Sequence, residues 1–135
     1  MAKIVLTNAQ ITVNTVDLSS YANSVTVNYE IDSVETTGFS DSGHTFTGGL
    51  QNISVEIAFM QDFAATKVEA TVFPLVGTTT TLIIKPTSSA VSATNPSYTV
   101  SSAYLASHTP VAASVGELSM TSLTFTGGTL AKAVV

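Results

Sequence analysis

The strongest constraint on the fold comes from two segments in which apolar and polar side chains alternate. In residues 24–32 and again in residues 52–60, every second side chain is apolar. A period of two is typical of antiparallel strands that bury one face and expose the other. We therefore predict two half-buried strands. Their apolar faces comprise Val25, Val27, Tyr29, Ile31, Ile53, Val55, Ile57 and Phe59.

The connection between these strands, residues 33–50, is rich in glycine, serine and threonine. It is much longer than the usual hairpin loop, and loops of such length are usually functional or disordered. The apolar parity shifts at Val34, which predicts a bulge or the end of the first strand there. We therefore expect this loop to take part in the function of the protein.

Shorter apolar segments separated by turns predict the other strands. Asn14-Thr15 is a candidate two-residue hairpin turn, because asparagine tolerates positive φ. A first strand is predicted at residues 4–6, and the last residues, 129–135, are predicted to form a tail. The remaining predicted strands are residues 11–13, 16–18, 78–85, 98–105 and 116–125.

One helix is predicted after the second alternating segment, at about residues 62–75. Asp62 is a suitable N-cap, and Pro74 marks where a regular helix has to end. The apolar stripe of this helix consists of Ala64, Val68, Val72 and either Leu75 or Val76. Together the elements predict a mainly β fold in a single domain, residues 1–135. It is an antiparallel β-sandwich or barrel of seven to eight strands with one flanking α-helix.

The composition favours assembly with other subunits. Only 10% of the residues are charged, against roughly 25% in an ordinary soluble domain. A soluble protein with so few charges has difficulty in staying monomeric, so an obligate assembly is the simplest explanation. The alternative is a monomeric β domain with a hydroxyl-rich surface. No apolar run approaches the ~20 residues of a membrane helix, and no signal peptide is predicted.

The charged residues argue against nucleic-acid binding and against enzymatic chemistry. The net charge is −5, and the cations are scattered, namely Lys3, Lys67, Lys85 and Lys132. Cysteine is absent, which is compatible with a cytoplasmic protein. His44 and His108 are far apart in sequence, and no nucleophile motif or metal-ligand spacing accompanies them. We therefore predict no enzyme, no cofactor and no metal.

Three acids share the polar parity of the two alternating strands, namely Glu30, Asp32 and Glu56. A carboxylate pair for acid–base catalysis is one interpretation, but three exposed acids on the polar face of a sheet are the better one. In a ring of subunits such a face would line a channel. DNA has the same sign of charge and would pass through that channel without specific binding.

Much of this pattern resembles the major tail tube proteins of long-tailed, non-contractile bacteriophages, the lambda-like family that is structurally akin to the tube protein of type VI secretion. The likeness extends over most of the chain. It rests on residues 16–20 (Val-Asp-Leu-Ser-Ser), 24–32, 35–39, 48–50, 52–63, 84–87 (Ile-Lys-Pro-Thr) and 92–98.

The resemblance implies homo-hexameric rings that stack into a virion tail tube, assembled in the host cytoplasm. Neighbouring subunits would join their inner sheets around the lumen, lined by Glu30, Asp32 and Glu56. The loop between the two strands would contact the next ring through Phe39, Asp41, His44 and Phe46. Tape measure and tail-terminator proteins would be partners, and no membrane would be involved. The alternatives are a tail-terminator or head-decoration protein, and a carbohydrate-binding β-sandwich with Tyr98 and Tyr104 in a cleft.

Overall fold

The computed structural model describes residues 4–135 and confirms a mainly β fold, with eight antiparallel strands in one sheet. The strands are β1 (Gln10–Val13), β2 (Val16–Asp17), β3 (Ala22–Glu35), β4 (Phe46–Met60), β5 (Thr79–Lys85), β6 (Ser97–Leu105), β7 (Met120–Thr126) and β8 (Thr129–Ala133). Helix α1 spans Val68–Val72 and continues as a 3-10 turn over Phe73–Leu75. Within residues 4–135, no helix is long and apolar enough to cross a membrane.

The sheet bends sharply along β6. The strand order is β2-β1-β5-β6-β7-β4-β3, and β8 also pairs with β6. At the junction of β7 and β8, Gly127 and Gly128 have φ values of 81° and 80°, and Ser102 on β6 has a φ of 61°. A Cβ on Gly128 would lie 2.0 Å from the carbonyl oxygen of Ser101, so only glycine fits. This kink lets β8 stay beside β6 while β7 turns away to pair with β4.

Because of this bend, one hydrophobic core contains side chains from both halves of the sheet. Ile11 of β1 and Phe59 of β4 belong to the same buried cluster, although their strands are far apart in the strand order. The helix covers this core with Val68, Val72 and Leu75. The largest fully buried side chains of this core are Phe59, Phe125, Leu18, Ile57 and Leu82.

The N-terminal part of the chain confirms one prediction and contradicts another. Asn14 and Thr15 have φ values of 49° and 68° and connect β1 to β2, as the two-residue turn requires. Residues 4–6 were predicted as a strand but lie outside the sheet. Ile4, Val5 and Leu6 are exposed there, and a strand needs a hydrogen-bonded partner that these residues lack in the described chain.

The helix begins later than the sequence predicts, at Val68. Thr66 has a φ of 65°, which is incompatible with a right-handed helix and separates Asp62 from α1. Asp62 instead closes a local turn, in which its Oδ1 accepts a hydrogen bond from the amide of Ala64 at 2.9 Å. The apolar stripe is confirmed for three of its members, which are buried, whereas Ala64 is exposed.

The predicted loop over residues 33–50 is too long, because eight of its eighteen residues belong to strands. β3 continues to Glu35 and β4 begins at Phe46, which leaves residues 36–45 as the connection. The predicted bulge is confirmed by a register shift between Ile31 and Ser33. Opposite the bulge, a Cβ on Gly49 would lie 3.1 Å from the Val34 side chain, so the glycines let the two strands approach closely. In the sequence, the same glycines led to the prediction of a loop.

The C-terminal part also differs from the prediction. The last predicted strand starts at Met120, so residues 116–119 are irregular. The residues predicted as a tail form β8 instead, paired with the first half of β6. The sequence pattern did not predict β8, because Gly127 and Gly128 are typical of the end of a strand. In the structure they form the kink between β7 and β8 instead.

Candidate functional site

The outer face of β3, β4 and β7 is a continuous polar surface. Directly opposed residues of antiparallel strands lie on the same face of the sheet. The opposed pairs are Thr26 with Glu56, Asn28 with Ser54 and Glu30 with Asn52 between β3 and β4, and Ser54 with Thr126 and Glu56 with Thr124 between β4 and β7. These three strands contain no lysine or arginine. The face is therefore hydroxyl-rich and anionic.

The structure places all three predicted lumen acids on this outer face. Glu30 and Glu56 lie four positions apart along the paired strands, which corresponds to about 13 Å. Asp32 accepts a hydrogen bond from the side-chain amide of Asn52, the residue opposite Glu30. All three carboxylates are exposed, and in the described residues no cation lies within salt-bridge distance of them.

The distal half of the β3–β4 hairpin projects from the body of the protein. Val25 and Val27 are half-buried against the core, but Tyr29 and Ile31, on the same face, are 52% and 46% exposed. The sequence predicted that this whole apolar face is core, and that prediction holds only for its first half. We call residues 28–50 the distal hairpin.

At the end of the distal hairpin, residues 36–45 form the tip loop. It contains Phe39, Asp41 and His44, and Phe46 follows at the first position of β4. Phe39 is fully exposed and Phe46 is largely exposed. The Oδ2 atom of Asp41 accepts a hydrogen bond from the amide of Gly38 at 2.7 Å, which closes the turn around Phe39. The structure thus brings the predicted contact residues together on one protrusion.

The base of the tip loop is held by the carboxylate of Glu35. Its Oε2 lies 2.6 Å from Nδ1 of His44 and accepts a hydrogen bond from the hydroxyl of Thr37 at 2.8 Å. The hydrogen bond with His44, followed by that from Thr37, lowers the pKa of Glu35 from its ordinary value. The amide of Thr45 donates to Oγ1 of Thr37 at 2.9 Å, so the carboxylate and the two threonines brace the loop.

The second histidine lies in the body, in a buried cluster that the sequence did not reveal. The His108 side chain is 2% exposed, with Nε2 lying 2.8 Å from Oε2 of Glu69 and Nδ1 lying 3.2 Å from Oγ1 of Thr121. Gln61 donates from Nε2 to Glu69 and to the carbonyl of Pro110. The order hydroxyl, imidazole, carboxylate is that of a hydrolase triad. However, Thr121 is itself 2% exposed, so a substrate cannot reach it and the cluster is structural.

The grooves of the surface do not define a chemical site. One groove, of about 640 Å³, lies between residues 6–11 and the start of β3, and its lining among the described residues includes a single charged residue, Asp17. A groove of about 390 Å³ beneath the hairpin is lined mainly by apolar residues and contains Tyr98 but not Tyr104. Among residues 4–135, no group of three or more potential ligands is arranged to hold a metal ion.

No family model matches this sequence, and no curated protein matches it. Solved structures, in contrast, include similar folds. A chain of the PVC sheath–tube complex, from an extracellular contractile injection system in the extended state, aligns with a TM-score of 0.72 and 14% identity, covering 98% of this chain and 93% of that one. A chain of the sheath/tube terminator of PVC aligns with a TM-score of 0.74 and 12% identity, covering 98% and 97%.

Two further structures extend this likeness. A chain of the anti-feeding prophage cap, a tube-terminating cap, aligns with a TM-score of 0.72 and 12% identity, covering all of this chain and 93% of that one. A chain of a native gene transfer agent virion aligns with a TM-score of 0.61 and 12% identity, covering 93% and 95%. At these identities the likeness is one of fold. The chain therefore has a fold shared with components of phage-tail-like particles.

Proposed function

We propose that this chain is a structural tail protein, the subunit of a tail tube built from stacked homo-hexameric rings with an anionic lumen. The observation that carries the proposal is the fold shared with sheath–tube and terminator components of injection systems over nearly the whole of both chains. Residues 1–135 would act as one tube-forming unit without catalytic activity. The resemblance in sequence favours a long-tailed, non-contractile phage, while the similar structures come from contractile systems and a gene transfer agent, so the tail type belongs to the proposal.

The long edge strand supports ring formation. β3 has 14 residues and lies at the end of the strand order, so one of its edges has no partner in the described chain. Natural proteins rarely leave a long edge free, because its unpaired amides and carbonyls pair readily with another chain. In the ring, a neighbouring subunit covers this edge and the sheets join around the lumen.

The anionic outer face supports the lumen assignment. If this face points inward, Glu30, Asp32 and Glu56 repeat in every subunit without a neighbouring lysine on the same strands. Charges in a narrow channel act over the screening length of about 8 Å at physiological salt. DNA then travels along a wall that repels its phosphates and does not bind it specifically.

Electron microscopy of the purified protein tests the proposal. We expect rings, and stacks of rings at high concentration or in the presence of other tail components. Particles that remain monomeric under all these conditions would contradict it. Class averages of the rings give their symmetry, and a symmetry other than six-fold would overturn the hexamer while leaving the tube.

The contact between rings is tested by shortening the tip loop. Glu35 and Phe46 are paired across the hairpin, so an Asn-Gly turn can replace residues 36–45 without changing the register. We expect this variant to form single rings that do not stack. Tubes of normal length from this variant would show that the tip loop is not the contact between rings.

In the assembled virion, the proposed partners are further copies of this chain, a tape measure protein inside the tube and a tail terminator at its end. The subunits would assemble in the host cytoplasm, without a membrane. A terminator or head-decoration protein is the second candidate, because a terminator and a tube cap are among the similar folds. Carbohydrate binding has less support, since Tyr98 is half-buried and Tyr104 does not share its groove.

A further inference from the structure

We propose that the tip loop of one subunit docks on an apolar surface at the opposite end of another copy, formed by Phe63, Val111, Val115 and Leu118. We call these four residues the end surface. The inference rests on the proposed function, because it names the receiving side of the contact between rings. It commits to a second copy of this chain as the partner.

The tip loop and the end surface lie at opposite ends of β4. The tip loop precedes Phe46, the first residue of β4, and β4 then runs 15 residues to Met60, which corresponds to about 45 Å of strand. At that far end, the amide of Gln61 donates to the carbonyl of Ser119, and its side chain donates to Pro110. These hydrogen bonds place residues 61–63 beside residues 110–119.

The end surface is apolar, and no other part of residues 4–135 covers it. All four of its side chains are exposed, and Val115 is fully so. Residues 109–119 contain one charged residue, Glu117. Apolar clusters exposed on a soluble chain mark interaction sites, and aromatic side chains such as Phe39 are frequent anchors in interface pockets.

The total surface is larger than that of a compact monomer of the same mass. The chain exposes 8361 Å², whereas a compact monomer of 13.9 kDa exposes about 6,700 Å². The excess, about 1,700 Å², is comparable to what a subunit buries in about two standard interfaces, at roughly 800 Å² each. The protruding hairpin contributes to this excess, and contacts with other copies would cover it.

Charge favours a tip-to-end contact over a tip-to-tip contact. The tip loop and its base contain Asp32, Glu35 and Asp41, so two tips facing one another would bring these acids close to their own copies. Like charges facing each other across an interface are costly. The end surface has two acids next to it in sequence, Asp62 and Glu117, so the tip-to-end contact opposes fewer like charges than the tip-to-tip contact. Because it joins two different surfaces, it does not close on itself and propagates as a stack.

Cross-linking between single-cysteine variants tests this contact, and the natural chain contains no cysteine to interfere. Ser40 is in the tip loop, Ser114 is next to Val115, and Ser88 is exposed on a loop away from both. Tubes are assembled from a mixture of Ser40→Cys and Ser114→Cys chains and treated with a short bis-maleimide. The matched control mixture combines Ser40→Cys with Ser88→Cys.

We expect the first mixture to form heterodimers at least about tenfold faster than the control, because docking holds the thiols at a high effective concentration. Tubes that form normally but cross-link no faster than the control would overturn the inference and leave the proposed function standing. Failure of the unmodified protein to form rings or tubes would overturn both.

A charge substitution gives an independent readout. Leu118→Asp places a carboxylate on the end surface, and we expect single rings with loss of stacking. Ser88→Asp adds the same charge elsewhere and should leave tubes intact. Tubes from Leu118→Asp as long as those from Ser88→Asp would contradict the docking site.

Discussion

Along β3, the two halves of the β3–β4 hairpin share an alternating sequence but differ in their environments. In the proximal half, Val55, Ile57 and Phe59 are buried and Val25 and Val27 pack on the same core. In the distal hairpin the parity of β3 continues to Ile31, but Tyr29 and Ile31 stay 52% and 46% exposed. The rest of the described chain covers this face only in part, at the groove that Tyr29 lines with Tyr98 and Leu130.

Alternation therefore predicts which side chains share a face of a strand, and it does not predict what covers that face. A half-exposed apolar strand face costs free energy in a monomer, at roughly 25 cal/mol per Å² of apolar surface. A second copy of the chain is the simplest cover for the distal hairpin, which also has a free strand edge and the tip loop.

A matched pair of phenylalanine truncations tests the comparison with the largest expected effect. Phe59 is 0% exposed, so Phe59→Ala should lower the free energy of unfolding by about 3–5 kcal/mol. Phe39→Ala at the exposed tip should change the stability of the dispersed subunit by less than about 0.5 kcal/mol. Urea denaturation of both variants measures this. Similar losses for the two would show that the distal hairpin is part of the core.

A pair of glycine substitutions should have the next largest effect. Gly128→Ala puts a Cβ against the Ser101 carbonyl at a φ of 80°, and should cost more than about 2 kcal/mol. Gly43→Ala in the tip loop meets no atom within 4 Å and should be nearly neutral. Thermal unfolding compares them. A harmless Gly128→Ala would mean that the kink between β7 and β8 does not depend on glycine.

Substitution of the two histidines should show a smaller difference in stability, again between a buried and an exposed side chain. His108→Ala removes a buried imidazole and leaves the buried hydroxyl of Thr121 without its partner, so we expect a loss of about 1–3 kcal/mol. Glu69 keeps its hydrogen bond from Gln61. His44→Ala removes a side chain that is 78% exposed and should stay within about 0.5 kcal/mol of the unmodified protein. Equal effects in chemical denaturation would contradict the structural role of the His108 cluster.

Acid should loosen the tip loop without unfolding the body. The pKa of Glu35 is lowered in the folded chain, so its contribution is present above the ordinary value of about 4.3 and is lost as the pH falls through the lowered pKa. Amide signals of Thr37 and Thr45 in NMR spectra should then shift, and Glu35→Gln should remove this acid step. Signals that titrate identically in both proteins would exclude Glu35 as the group responsible.

Much of the fold could be predicted from sequence, because local signals such as alternation and the Asn14-Thr15 turn determine it. What could not be predicted depends on backbone conformation and on distant contacts. Thr66 at positive φ delays the helix, and Gly48 and Gly49 continue a strand that their composition hides. The contact between His108 and Glu69 joins residues that are far apart in sequence, so only the fold brings them together.

The candidate site, too, could be predicted from the sequence only in part. Sequence parity placed Glu30 and Glu56 on one face, and the structure confirms that shared face through their cross-strand partners. The predicted tip residues do lie on one protrusion. The end surface left no signal in the sequence, because its residues come from two irregular segments that the end of β4 and the start of β7 bring together.

Hydrogen–deuterium exchange tests the central claim, that other copies of the chain cover the distal hairpin. Exchange is measured for the amides of residues 28–50 in dispersed subunits at low concentration and in assembled particles, with the amides of β5 as an internal control. We predict that assembly slows exchange in the distal hairpin by at least about tenfold and leaves β5 unchanged. Assembled particles in which these amides exchange as fast as in dispersed subunits would contradict it.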